Sequence, residues 1–117
     1  MVDAQASNNI PDHDELLYRE IVRRIVAVAD PERVIVFGSR ARRDHRPDSD
    51  LDLLVIQDSS EPRYKRARTL YGALAPLPLE IDIVVYTPQE VAEWRGVAEA
   101  FVTTATREGR VLYDRAA

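Results

Sequence analysis

The sequence contains no cysteine among its 117 residues. This absence excludes a disulfide framework, a thiolate zinc site and a cysteine nucleophile. No uninterrupted apolar run approaches the length of a membrane span, and the N-terminus lacks a basic segment followed by an apolar one. The sequence therefore predicts a cytoplasmic protein that does not enter a membrane.

The sequence also lacks an excess of positive charge. Sixteen basic residues against 20 acidic ones give a formal net charge of −4. No global positive field recruits nucleic acid, so direct nucleic-acid binding is not expected, although local basic patches stay open. The length is that of one domain. We assign residues 1–11, which are polar and without periodicity, to a disordered N-terminal segment, and residues 12–117 to the domain.

A short apolar run ends at a glycine and a serine. Residues 34–37 are β-branched and aromatic, which predicts a buried strand, and Gly38-Ser39 interrupts it abruptly. Ser39 to Arg43 could begin a short helix with Ser39 near its N-cap, exposing backbone N–H groups and a hydroxyl. This turn is therefore a candidate site for a chain of phosphates.

Two aspartates follow ten residues after that serine. Asp50 and Asp52 alternate with Leu51 and Leu53, so in a strand both carboxylates project from one face, roughly 6.6 Å apart along it. Two carboxylates facing one site repel each other unless a cation lies between them. Hard oxygen ligands of this kind suit magnesium, which also binds phosphate oxygens.

A third aspartate lies inside the strongest predicted strand, residues 79–86. Asp82 shares one face of it with Glu80, Val84 and Tyr86, and an acid within such an apolar run is costly to bury without a cation or a donor. If this strand neighbours the Asp50 strand, Asp82 completes a cluster of three carboxylates. For Glu80 we favour a surface acid over support of the site.

The loop between Ser39 and Asp50 is crowded with arginines. We favour the interpretation that Arg40 or Arg42 holds the outer phosphates of a nucleotide, because guanidinium matches phosphate geometry. The alternative is a solvated, self-neutralising surface turn, and we assign His45 to that description.

Helical periodicity frames these strands. Asp12 and Glu15 predict a helix start, with Leu17, Ile21, Ile25 and Val28 as its inner face and Asp30-Pro31 as its end. A second helix is expected from Pro62 to about Leu74, with Arg63, Lys65, Arg66 and Arg68 mostly outside.

A third helix begins at Thr87-Pro88-Gln89-Glu90 and continues toward Gly109, with a break or bend at Gly96. Trp94 and Phe101 are assigned to the core, with a partner surface as the alternative. Residues 111–113 are a short strand or an ordered tail.

Taken together, Gly38-Ser39, ten residues, Asp50-Leu51-Asp52 and the lone Asp82 closely resemble the nucleotidyltransferase domain of the DNA polymerase beta-like superfamily. Within it the chain resembles the minimal nucleotidyltransferase (MNT) type, an antitoxin that accompanies HEPN-type toxins. One departure is Arg43, which stands where many relatives carry glycine.

The resemblance implies an α+β fold, a small mixed β-sheet flanked by helices. It implies that Asp50, Asp52 and Asp82 bind two Mg²⁺ ions, with Asp82 binding metal or accepting the proton of the attacking hydroxyl, and that Gly38 and Ser39 hold the phosphates of ATP. The implied reaction transfers AMP from ATP to a tyrosine of a cognate HEPN-type toxin.

Two other functions stay open on the sequence alone. One is a small-molecule nucleotidyltransferase of the antibiotic-modifying type, which usually needs extra helices to grip its acceptor. The other is a non-catalytic module that neutralises a toxin by covering it.

Overall fold

The computed structural model describes residues 13–42, 45–46, 49–97 and 100–117. In these ranges the helices are α1 (His13–Val28), α2 (Ser39–Arg42), α3 (Arg63–Arg66), α4 (Arg68–Leu74), α5 (Pro88–Trp94) and α6 (Phe101–Glu108). The strands are β1 (Arg33–Phe37), β2 (Leu51–Ile56), β3 (Ile81–Tyr86) and β4 (Arg110–Asp114). The expected disordered segment, the Asp12 cap and Arg43 lie outside the described residues, and the domain boundaries stay predictions.

The four strands form one mixed sheet in the order β3-β2-β1-β4. β1 runs antiparallel to both β2 and β4, whereas β2 and β3 are parallel. The predicted α+β class with a small mixed sheet is thus confirmed. Because of these directions, the end of β1 and the starts of β2, β3 and β4 meet at the same end of the sheet.

Helices cover both faces of the sheet, so the central strand is apolar on both sides. One face of β2 packs under α1 and α4, where the buried residues include Ile21, Ile25, Leu53, Val55 and Leu70. The other face packs under α6, and its buried residues are Ile35, Leu54, Ile56, Val102 and Ala105. Five of the six β2 residues are buried, and Asp52 is the exception. Asp52 is the second residue of β2 and is partly buried, so this acid lies at the end of the sheet where β2 begins.

The first helix closely follows its predicted range. Tyr18, Ile21 and Ile25 are its buried residues, but Val28, expected on the inner face, is 48% exposed. The prediction was wrong there because α1 ends at Val28, beyond the part of the helix that faces the sheet. At the other end, Arg110 of β4 donates to the Glu15 carboxylate at 2.6 Å and ties α1 to the sheet edge.

The predicted helix from Pro62 to Leu74 is two short helices joined at Ala67. Pro62 lies at the N-cap of α3 instead of inside the helix. Arg66 was expected outside, yet its side chain is 9% exposed and donates to Glu90 at 2.6 Å and to the Val85 carbonyl at 3.3 Å. Arg66 thus joins α3 to β3 and α5, which local periodicity does not indicate.

The third predicted helix is broken near Gly96, as the sequence indicated. Its start is a capping box, in which the Glu90 N–H donates to Thr87 Oγ1 and the Thr87 N–H donates to the Glu90 carboxylate. Trp94 and Phe101 are 44% and 43% exposed, so their assignment to the core was wrong. The break turns them away from a common inner stripe, although Phe101 still contacts Phe37, with ring centroids 5.1 Å apart.

The C-terminal segment forms an edge strand. β4 pairs with β1 through residues 110–114, which selects the strand from the two predicted alternatives. Gly109 closes α6 with φ −75°, and its N–H donates to Ala105 O. A Cβ at Gly109 would lie 2.4 Å from both Ala105 O and Ile35 Cγ2, so glycine is required by close packing. None of the helices within the described ranges is long and apolar enough to span a membrane.

Candidate active site

The candidate site lies where β1 ends and β2 and β3 begin. In the parallel pairing of β2 with β3, Asp52 is the register partner of Asp82. In the antiparallel pairing of β1 with β2, Asp52 is opposite Phe37, the residue that precedes Gly38. Residues paired across neighbouring strands project to the same face. The register therefore places Asp82 directly beside Asp52, and the Gly38 turn on the other side of it.

Gly38 permits this close approach in two ways. Its φ of +75° lies in the left-handed region that L side chains rarely adopt. A Cβ at this position would be 2.9 Å from Asp52 Oδ2. Any side chain here would be strained and would crowd the carboxylate, so the turn delivers backbone, and not a side chain, to the edge of Asp52.

The three aspartates form one electrostatic unit. Burial, reinforced by the negative charges of Asp82 and Asp50, raises the pKa of Asp52 above its ordinary value. Asp50 and Asp82 themselves are exposed, Asp50 in the position just before β2. Asp52 is thus a carboxylate whose ionised form is disfavoured until a positive charge joins the site.

The donor set fits a hard divalent cation. Carboxylate oxygens are the ligands that Mg²⁺ prefers, and a cation would relieve the repulsion around Asp52. Among the described residues no three His, Asp or Glu side chains form a ready-made group that could hold a metal ion. The carboxylates are therefore close enough to repel one another but are not drawn together around a common point. Their assignment as metal ligands stays a prediction.

The serine-bearing turn is short and tightly hydrogen-bonded. Ser39 is the first residue of α2, and Gly38 O accepts from the N–H groups of Ala41 at 3.1 Å and Arg42 at 3.2 Å. The helix is described from Ser39 to Arg42, and Arg43, where the helix was expected to continue, lies outside the described residues. Gly38 and Ser39 stay candidate phosphate-binding residues on this geometry.

An apolar cleft of about 340 Å³ opens beside Gly38, between α2 and α6. Its walls include the two aromatic rings Phe37 and Phe101 and the small side chains of Ala41 and Ala105. Arg42 is exposed and lines the same cleft. Arg42 therefore lies near the turn, as its predicted role at the phosphates requires.

Arg40 lies elsewhere, and its predicted role as an outer phosphate ligand is wrong. Its side chain is 1% exposed. Its guanidinium donates to Asp14 Oδ1 at 3.2 Å and to the Ser49 carbonyl at 2.8 Å. A buried arginine committed to a carboxylate of α1 and to the backbone before Asp50 is not available at the surface of the site. A guanidinium inside the protein needs paired acceptors, and for Arg40 these acceptors are protein groups and not a phosphate.

His45 is not a surface residue either. Its side chain is 11% exposed, and Nε2 lies 2.6 Å from Asp14 Oδ2. Asp14 thus joins Arg40 and His45, and sequence reasoning missed it. Asp14 precedes Arg40 by 26 positions and His45 by 31, so no local pattern connects the three.

The sequence matches a family model described as "Polymerase beta, Nucleotidyltransferase" over residues 19–117. With the fold and the paired aspartates described above, the chain belongs to the polymerase beta-type nucleotidyltransferase family. It is 30% identical to a solved structure described as a minimal nucleotidyltransferase, covering 86% of this chain and 96% of that one with a TM-score of 0.50. Its organisation is accordingly that of the minimal form. No curated protein matches the sequence significantly.

Other solved structures share the fold at lower identity. One is a toxin–antitoxin crystal structure with AMP-PNP, 15% identical, with a TM-score of 0.61 over 83% of this chain and 73% of that chain. Another is a mutant of the toxin–antitoxin pair MntA-HpeT, also 15% identical, with a TM-score of 0.58 over 83% and 72%. A Sulfolobus solfataricus protein described as a nucleotidyltransferase is 18% identical, with a TM-score of 0.58 over 86% and 79%. At these identities the likeness is one of fold.

Proposed function

We propose that this chain is a metal-dependent nucleotidyltransferase that moves AMP from ATP to a hydroxyl group of a partner toxin and thereby acts as its antitoxin. One observation carries the proposal: Asp52 and Asp82 are register partners on one face of the sheet, beside a glycine turn that leaves the Asp52 carboxylate accessible. Membership of a nucleotidyltransferase family gives that arrangement its reaction class.

In this proposal Asp50, Asp52 and Asp82 hold Mg²⁺, and two ions are expected as in other two-metal phosphoryl-transfer sites. The bound metal neutralises phosphate charge and makes the acceptor hydroxyl easier to deprotonate. The raised pKa of Asp52 supports this assignment, because burial and neighbouring negative charges oppose its ionisation and a bound cation would offset both.

The turn residues bind the triphosphate. The backbone of Gly38 and Ser39 offers N–H donors at the start of α2, and the Ser39 hydroxyl offers another. Arg42, exposed beside the cleft, supplies a positive charge for a phosphate oxygen. The apolar cleft lined by Phe37 and Phe101 offers room for an aromatic ring next to this turn.

The chemical step is an in-line displacement at the α-phosphorus. The acceptor oxygen forms the new O–P bond while the bond to pyrophosphate breaks. The proton of the acceptor hydroxyl passes to a site carboxylate, for which Asp82 is suited because it is exposed. The products are the adenylylated acceptor and pyrophosphate.

The partner assignment is supported by the neighbours in fold. Two of them are toxin–antitoxin structures, one with AMP-PNP, an analogue of ATP. The resemblance of the site motif to MNT antitoxins makes a HEPN-type toxin the expected partner and one of its tyrosines the expected acceptor. The alternative acceptor is a small molecule.

A transfer assay tests the proposal. Purified chain, its cognate toxin, Mg²⁺ and ATP labelled in the α-phosphate are expected to give label on the toxin. Asp52→Asn is expected to abolish the label. Asp58→Asn is the matched control, because Asp58 is an exposed aspartate beyond the opposite end of the same strand.

Two results contradict the proposal. One is an unlabelled toxin under saturating ATP and Mg²⁺. The other is full neutralisation of the toxin by an Asp50/Asp52 double mutant at equal expression, which would mean that covering the toxin is enough.

A further inference from the structure

Arg40 is a buried charge that the proposed reaction does not use. Among the described residues it is the one polar or charged side chain that is fully buried. Removing a guanidinium from water is costly unless good acceptors replace the water. Its acceptors therefore indicate what the buried charge is for.

Two of these acceptors belong to separate parts of the chain. One is Asp14 Oδ1, at 3.2 Å, in the first turn of α1. The other is the carbonyl of Ser49, at 2.8 Å, which immediately precedes Asp50. Arg40 itself is the second residue of α2 and follows the Gly38-Ser39 turn. One side chain thus joins the phosphate turn, the first helix and the backbone next to the first aspartate.

The segment before β2 has its own hydrogen bonds, which Arg40 completes. The Arg46 N–H donates to Ser49 Oγ at 2.8 Å, and the Ser49 N–H donates to Arg46 O at 3.0 Å. On the other side of Asp50, the Leu51 N–H donates to Glu80 O at 2.9 Å. Asp50 therefore lies between the turn closed by Arg46 and Ser49 and the hydrogen bond from Leu51 to Glu80. Arg40 connects that turn to α1 and α2.

Asp14 strengthens this connection. Its second oxygen, Oδ2, lies 2.6 Å from His45 Nε2, so one carboxylate holds Arg40 and a residue of the connecting loop. The His45 side chain is 11% exposed and the Asp14 side chain 33%, so the contact is partly buried. The Asp14 carboxylate is thus held by His45 on the loop side as well as by Arg40.

We infer that Arg40 is a positioning residue: anchored by Asp14, it sets the place of Ser49 and therefore of the Asp50 carboxylate relative to Asp52. The inference depends on the proposed function for its consequence, because a misplaced Asp50 matters only if it binds metal. Residues that orient metal ligands without touching the metal typically change metal affinity by about 10- to 100-fold.

The structure offers a matched control at the opposite end of the sheet. Arg66 is also nearly buried, and it also donates to a carboxylate, Glu90, and to a carbonyl, Val85 O. Arg66→Met therefore removes a comparable buried guanidinium that has no contact with the aspartates. If loss of a buried guanidinium only lowers stability, both variants change alike. If Arg40 positions Asp50, metal affinity and amide protection fall in Arg40→Met alone.

Two measurements on the full chain test the inference. Amide hydrogen exchange reports whether the N–H groups of Ser49 and Leu51 stay protected. Titration with Mn²⁺ alone, followed by the electron paramagnetic resonance signal of the free ion, reports metal affinity. Arg40→Met is expected to lose protection at these two amides and to bind Mn²⁺ about 10- to 100-fold more weakly, while Arg66→Met matches wild type in both.

Arg40→Lys carries the test if Arg40→Met does not fold. Lysine keeps the charge but cannot donate as a fork to Asp14 and Ser49 O together, so both effects are expected in reduced size. Wild-type exchange and Mn²⁺ affinity in the Arg40 variants would overturn the inference. If wild type itself does not bind Mn²⁺, the proposed metal site fails, and exchange at Ser49 and Leu51 still decides whether Arg40 positions the segment.

Discussion

Asp52 is the residue in which the energetic cost of the site is concentrated. It is the one partly exposed residue of an otherwise buried strand, and two further carboxylates, those of Asp82 and Asp50, repel its negative charge. Burial, Asp82 and Asp50 together raise its pKa, so the folded protein binds a proton at Asp52 more tightly than the unfolded chain does. Ionisation of Asp52 therefore opposes folding until a cation is bound.

Asp52→Asn is expected to raise the melting temperature at pH 7 in the presence of EDTA. The destabilisation by ionised Asp52 is fully present above its folded-state pKa and disappears below the ordinary carboxyl value of about 3.9. The difference between variant and wild type should thus shrink as the pH falls to 4 and below, as followed by thermal melts across pH. An asparagine variant less stable than wild type at pH 7 would mean that the carboxylate is stabilised by its surroundings.

Gly38→Ala is expected to lower the free energy of unfolding by about 1–2 kcal/mol, since a left-handed φ costs an L residue this much. It should also reduce transfer activity, because the new Cβ would be 2.9 Å from Asp52 Oδ2. Gly72→Ala is the control: nothing lies within 4 Å of its added Cβ, and it sits within α4. That variant should be stabilised by about 0.5–1 kcal/mol in urea unfolding. Equal effects of the two substitutions would contradict the special role of the Gly38 turn.

The sequence predicted on which strand face Asp52 and Asp82 lie, but it did not predict the burial of Arg40. The period of two in both strands put each aspartate on a definite face, and one assumption, that the strands are neighbours, brought them together. Arg40 was assigned to phosphate because guanidinium matches phosphate geometry and because its loop joins Ser39 to Asp50. Its actual partner, Asp14, is 26 positions away, and such tertiary pairing leaves no trace in local composition.

At the scale of elements, the strands were easier to predict than the helices. β1 is apolar after Arg33, and β2 is apolar apart from Asp52, which identifies both strands without knowledge of the rest of the fold. The break at Ala67 depends on a tertiary contact, whereas the break at Gly96 was expected from the sequence. Ala67 separates α3 from α4 where Arg66 turns inward to Glu90, and Gly96 lies in the break that exposes Trp94.

Glu90 connects two elements, α5 and α3, and gives a prediction at this scale. It completes the capping box of α5 and accepts from Arg66 of α3, and these hydrogen bonds, led by that of Arg66, lower its pKa to about 2. Its contribution to stability is present above the unfolded-state value of about 4.3 and is lost as the pH falls toward 2. Glu90→Gln should thus lower the melting temperature at pH 7, with a difference that shrinks at low pH.

Glu93→Gln is the control for that substitution, because Glu93 is exposed and its one described contact is a 3.4 Å hydrogen bond from Gln89. It is expected to melt like wild type at every pH. A Glu90→Gln variant indistinguishable from it would mean that the capping box and the Arg66 pair contribute nothing measurable.

At the scale of the whole molecule, one sheet serves both core layers and the site. Leu53 and Leu54 are adjacent in β2, are both fully buried, and face opposite layers. The layers therefore share a strand and cannot unfold separately without breaking it. The site occupies the end where β1 stops and β2 and β3 start, so its geometry depends on both layers.

Leu53→Ala and Leu54→Ala are each expected to destabilise the protein by about 2–5 kcal/mol, as is typical of buried leucine truncation. In urea, circular dichroism and the fluorescence of the single tryptophan, Trp94, should report coincident midpoints for wild type and both variants. Separate midpoints would mean that the layer under α6 unfolds independently of the layer under α1.

The most direct test of the central claim is a crystal structure with Mn²⁺ and AMP-PNP, with the metal located by its anomalous scattering. We expect a manganese peak bound by the carboxylates of Asp52 and Asp82, with the triphosphate against the backbone of Gly38 and Ser39. A metal or triphosphate bound away from these residues, while Asp52 and Asp82 stay without metal, would contradict it.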